Sequence, residues 1–148
     1  MKLPARVSIA AIATAAAVAG TGAFLLPAAS AHSVTHTLKF TSVQQATASF
    51  SRTVGGGADK DVSKAGKVIG FDAVRFSLNP KTNTASLGVA VALKGGILYG
   101  VIRETKGPVT HGKVTGGTGA FRGAAGTITA RSLNENGTKT AVTIAYHT

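Results

Sequence analysis

The sequence predicts an all-β protein, a small closed antiparallel barrel of about eight strands preceded by a leader segment. Three observations carry that expectation. Apolar and polar residues alternate with a period of two along most of the chain beyond residue 31, clusters of Gly, Pro and Asn separate the alternating runs, and no stretch there has the periodicity of a crossover helix. Closure is favoured because it removes exposed strand edges; a two-sheet sandwich is the competing architecture.

Taken in order, residues 1–31 read as a secretory signal peptide. Lys2 and Arg6 precede an apolar, Ala-rich run from Val7 to Leu26, and Ala29-Ser30-Ala31 offers a small-residue cleavage site. The domain then occupies 32–148, and the protein is expected to be secreted, meeting a membrane only if the leader stays uncleaved. Those 117 residues are enough to bury a real core, which matters because the chain has no cysteine to staple it.

The first strand is Val34–Thr41, where Val34, His36, Leu38 and Phe40 share one face. Gln45–Ser51 is a shorter candidate, and Arg52–Lys67 reads as a polar, glycine-containing loop in which Asp59 and Asp61 are solvated. Val68–Leu78 is extended and ends in the turn Asn79–Asn83. Thr84–Lys94 alternates Leu87, Val89, Val91 and Leu93 with small residues, and Gly95-Gly96 turns the chain into the strand ILYGVIRE. Gly126–Leu133 and Thr138–Thr148 flank a second hairpin signal, Asn136-Gly137. The small residues Ser86, Gly88, Ala90 and Ala92 leave the other face of Thr84–Lys94 smooth, which fits either packing against another subunit in a homo-oligomer, a dimer or trimer, or a cramped barrel interior.

Charge narrows the function classes. Setting aside Lys2 and Arg6 leaves 14 cations against five acids, a net charge of +9. Such a surface attracts polyanions, yet the cations are dispersed and no stacking motif of interleaved aromatics accompanies them, so no specific nucleic-acid binding is expected. There is no metal-ligand motif and no cofactor fingerprint. An amino-terminal His32 has no partner motif for copper, and no hydrolase signature occurs.

The stretch VTGGTGAFRGAAG, Val114 to Gly126, holds five glycines. A dinucleotide loop needs glycines at offsets zero, two and five before a helix; Gly117 and Gly119 supply two, but Arg122 stands at the third, and a strand-like run follows. The glycines are therefore assigned to backbone geometry: tight turns, a bulge and close strand approach.

This stretch resembles the signature of the allene oxide cyclase and dirigent barrel families. Gly116, Gly117, Thr118, Gly119, Phe121, Ala124 and Gly126 match its pattern; Val114, Thr115 and Gly123 are nearer the cyclase form, and Arg122 the dirigent form. Upstream, Gly66–Gly70 resembles the entry to a dirigent strand, and the similarity extends over Asp59 to about Leu133. The resemblance implies an eight-stranded barrel around an apolar pocket that holds a hydrophobic or phenolic small molecule and guides its cyclisation or coupling by positioning. It implies Arg122 at the pocket mouth. The cyclases carry an acidic residue early in their first strand, whereas no Asp or Glu lies between His32 and Ala58, which argues against allene oxide cyclase activity itself.

Within that frame Asp72 shares the parity of Val74, Phe76 and Leu78, so its carboxyl is expected among apolar groups, where it would be suited to acid chemistry; a structural ion pair with an arginine, or a misread strand face, is the alternative. His36 is expected in the same lumen, as a partner of Asp72 or as a core histidine. Phe76, Tyr99, Arg103 and Arg122 complete the candidate ligand-binding set; structural roles such as rim ion pairs are the alternative for Arg103 and Arg122. Two other readings remain: a non-catalytic carrier of lipophilic ligands, and a basic surface-binding protein that uses a filled barrel as a scaffold.

Overall fold

The computed structural model describes residues 34–103 and 108–148; the expected leader, His32 and Glu104 lie outside them. The chain forms a closed eight-stranded antiparallel barrel with each strand beside its neighbours in sequence and β8 closing on β1. The strands are β1 His36–Ser49, β2 Val54–Val62, β3 Val68–Asn79, β4 Thr84–Leu93, β5 Gly96–Arg103, β6 Val109–Gly117, β7 Ala125–Ser132 and β8 Lys139–His147, with a 3-10 turn at Gly119–Phe121. The barrel supersedes the sandwich alternative: every strand has two hydrogen-bonded neighbours, so no edge is left open.

Alternation decides which side chains enter. Register pairs place Phe40 opposite Val142, Val74 opposite Val89, Leu87 opposite Ile102, and Ile128 opposite Ile144, all on the inner face. β1 is one strand where two were expected. A bulge at Gln45 lets it pass through a change of parity, so Ser42 and Gln44 face inward before it while Ala46 and Ala48 face outward after it.

The loop expected over Arg52–Lys67 is corrected. Residues 54–62 form β2, with Gly55, Gly57, Asp59 and Asp61 on the inner face opposite Phe76, Val74, Asp72 and Gly70. Glycines disguised it, because their function is space: a Cβ on Gly55 would enter the Phe76 ring.

One end of the barrel is plugged. Phe121 packs edge-on against Tyr146 with ring centroids 5.7 Å apart, and Leu98, Val114, Ala124 and Ile144 are buried around them. The glycine-rich stretch makes this floor. Gly119 sits at φ 58°, and a side chain there would strike the backbone carbonyl of Gly95 in the neighbouring hairpin, so the turn closes tightly only with glycine.

Candidate functional site

The turns at 50–53, 79–83 and 133–138 ring the opposite end, and there the barrel is hollow. The cavity is about 410 Å³, toward the small end of the roughly 300–1,000 Å³ usual for ligand sites. Val74, Val89, Val91, Ile102, Ile128 and Val142 make most of its wall apolar; Gln44, Thr47, Phe76 and Ser132 stand toward the mouth.

Its polar wall is built by β1, β2 and β3. Asp59 and Asp72 are direct cross-strand partners and both line the cavity. Asp61 lies one inward position nearer the floor, opposite Ser42 on one side and Gly70 on the other. Asp61 is wholly buried and Asp72 is 6% exposed. Ser42 donates from Oγ to Asp59 Oδ2 at 2.8 Å. Apart from a proton carried by the aspartates themselves, no donor among the described residues reaches Asp59 Oδ1, either oxygen of Asp61, or Asp72 Oδ1.

Two adjacent carboxylates can bond each other only when one carries a proton. Burial pushes the Asp61 carboxyl up to about 8, helped by its hydrogen bond to Asp72 and by the charges of Asp72 and Asp59. Burial also raises Asp72, and the Asp59 charge adds to this, while hydrogen bonds with Asp61 and Ser42 act in the opposite direction. The proton of the pair therefore resides mainly on Asp61, with Asp72 between it and the cavity.

The sequence-derived candidates divide. Asp72 and Phe76 line the cavity. His36 does not join them: it lies at the exposed floor end of β1, stacked on Tyr146 at 5.3 Å, because inward parity at a strand terminus leads to solvent. Tyr99 and Arg103 have outward parity on β5 and are exposed. Arg122 is exposed in the floor turn, at the end away from the mouth. Asp59 and Asp61, expected in solvent, are inside. Their i, i+2 spacing was the available signal, since in a strand it puts both on one face. Among the described residues no group of three or more His, Asp or Glu side chains is arranged to hold a metal.

A second, larger hollow of about 690 Å³ lies on the outer wall, bordered by Ala46, Ala48, Ala58, Ala90, Phe50 and Tyr99. It is a shallow trough without converging polar groups, unlike the lumen with its aspartates.

No family model and no curated protein matches the chain. Solved structures do match its fold. A pterocarpan synthase dirigent protein superposes with a TM-score of 0.65 at 19% identity, covering 78% of this chain and 89% of that one. An exo-specific intermolecular Diels-Alderase gives 0.63 at 12% identity over 78% of this chain and 99% of its own, and a pyocyanin demethylase 0.59 at 14% over 75% and 99%. The chain thus has the barrel fold found in dirigent proteins and in this Diels-Alderase.

Proposed function

We propose that the protein is a secreted barrel that encloses an apolar or phenolic small molecule and guides its cyclisation or coupling, with Asp72 as the group that exchanges a proton or hydrogen bond with the guest. One observation carries this: a nearly buried carboxyl with an unpartnered oxygen lines a hollow, otherwise largely apolar lumen. Asp61 behind it supplies the proton reserve, since a carboxyl held near 8 is still largely protonated at neutral pH. The apolar wall fixes the guest's orientation, and orientation alone can supply several kcal/mol of rate acceleration.

Fold neighbours named as a pterocarpan synthase and a Diels-Alderase support bond-forming chemistry in such a lumen, as likeness of fold. The carboxyl cluster favours this reading over a passive carrier, and the hollow favours it over a filled scaffold. A homo-oligomer assembled through the outer trough belongs to the same proposal.

The test is native mass spectrometry of the protein from culture medium against a panel of lipophilic and phenolic compounds, followed by product analysis with D72N. A retained guest whose turnover falls at least about tenfold in D72N is expected, the lower range of general acid–base contributions being about a hundredfold. No adduct with any compound would end the reading.

A further inference from the structure

Charge in this molecule is segregated. Of the five acids, three converge on one inner wall, Asp59, Asp61 and Asp72. No Lys, Arg or His is among the described residues lining the cavity, and the described Lys and Arg side chains are exposed apart from the half-buried Lys60. Four buried carboxyl oxygens consequently have no donor beyond the proton that Asp61 and Asp72 share. A buried carboxylate group is costly unless paired, and proteins ordinarily supply the partner from their own cations. Here a chain rich in cations withholds every described one from the acidic wall.

A proton shared within the pair relieves part of that cost, and Ser42 relieves a further part at Asp59. What remains faces the cavity through Asp59 and Asp72. The opposite wall is aliphatic, and Phe40 and Phe76 add aromatic surface that can attract a cation through its ring faces. Negative charge on one side of an apolar chamber matches a guest of the opposite sign with a hydrophobic body.

We infer that the lumen is selective for apolar organic cations, molecules with a protonated amine or quaternary nitrogen seated against Asp59 and Asp72 and a hydrocarbon or aromatic body against the Val89–Val142 side. This rests on the lumen being the ligand site, as proposed above, and specifies the class of ligand. The groups facing the acidic wall are few. β1 contributes Ser42 and Gln44, β4 Val91 and Leu93, and β8 Thr140, none of which titrates. Asp61 and Asp72 therefore set the pH dependence among the described residues. Protonating them weakens the attraction, so cation affinity rises with pH through the range in which they ionise, up to about 8 for Asp61. Binding near neutrality expels a proton.

The experiment is calorimetric titration of the full secreted chain with three probes of equal length: 4-phenylbutylammonium, neutral 4-phenylbutan-1-ol and anionic 4-phenylbutyrate. Near pH 8 the ammonium should bind at least about tenfold more tightly than the alcohol, as charge-assisted hydrogen bonds are roughly twice as strong as neutral ones, and the butyrate should bind weakest. The advantage should shrink as pH falls below about 8 and Asp61 and Asp72 take up protons, the amine staying charged throughout. In D59N/D72N the ammonium and alcohol should bind alike. If the alcohol or butyrate matches the ammonium in the unmodified protein, the cation inference is overturned while the lumen remains a ligand site. If none of the three binds, both fall. The comparison of probes needs no variant, so a misfolded double mutant does not spoil it.

Discussion

Asp59 of β2 and Asp72 of β3 are direct partners in an antiparallel ladder, both facing the inside of the barrel. Like charges in that relation oppose pairing by a few tenths of a kcal/mol even at a surface. Here they are enclosed, with Asp61 completing the group and no described cation to offset them. Strand pairing elsewhere in the barrel must hold this wall together, and relief comes from protons or from a guest.

The first consequence is a pH-dependent stability of defined sign. Asp61 has a raised folded-state pKa, so between its unfolded value near 4 and about 8 the folded protein binds more protons than the unfolded one. Stability should therefore fall as pH rises across that window, by on the order of a few kcal/mol, and level off above it. Urea unfolding from about pH 4.5 to 9 measures it. D61N, which removes the titration but keeps the shape, should flatten the curve and raise stability at its alkaline end. A curve that climbs through this range in the parent protein would contradict the buried acid group.

The floor is the second point of test. Phe121 closes the barrel against Tyr146, at 5.7 Å. Phe121→Ala should cost about 3–5 kcal/mol, the usual range for a buried ring, and should open the lumen at its sealed end. Gly119→Ala should also destabilise, by about 1–3 kcal/mol from the strained left-handed backbone, with the clash against the Gly95 carbonyl adding to it. Thermal unfolding decides both. If Gly119→Ala melts with the parent, the close approach to Gly95 is not what fixes this turn.

Fold and site differ in how far residues alone reveal them. The Thr84–Lys94 run and the Asn136-Gly137 turn expose their strands directly, because half-buried pleats demand alternation and tight hairpins demand particular turn residues. β2 hides, since glycines at 55–57 erase the apolar half of its pattern while serving the close approach of Phe76. β6 hides for a related reason: Gly112 takes an inward position where a side chain would meet the Val101 carbonyl and the Ile102 side chain. Losing β2 costs the site most. Asp72 is legible from its parity with Val74 and Phe76, but its partners Asp59 and Asp61 look like solvated loop residues until β2 is placed. His36 misleads in the opposite direction, since parity gives a face and is silent about where along the barrel that face meets solvent.

Filling the lumen separates binding from folding. Ala130 is buried on β7 and lines the cavity. Ala130→Phe places a ring in empty space, so the barrel should keep its melting temperature within a few degrees, an overpacking cost of about 1–3 kcal/mol being the upper bound. Retention of every lipophilic or cationic guest should be lost. A variant that folds and still binds would move the ligand site out of the barrel.

The outer wall yields the last prediction. Phe50 is 68% exposed and Tyr99 41%, and between them Ala46, Ala48, Ala58 and Ala90 form a smooth trough. Small residues allow a second sheet to approach to about 10 Å, and aromatic knobs beside such a hollow can insert into the matching hollow of a second copy. Arg75 is the sole charged residue among its described lining residues, so two copies of this basic protein meet there with little repulsion. Ala90→Arg should therefore shift a dimer or trimer to monomer in light scattering while leaving the melting of the barrel nearly unchanged, because its new charge faces outward. A parent protein that stays monomeric at high concentration would leave the trough without this partner, and Ala90→Arg would then change neither measurement.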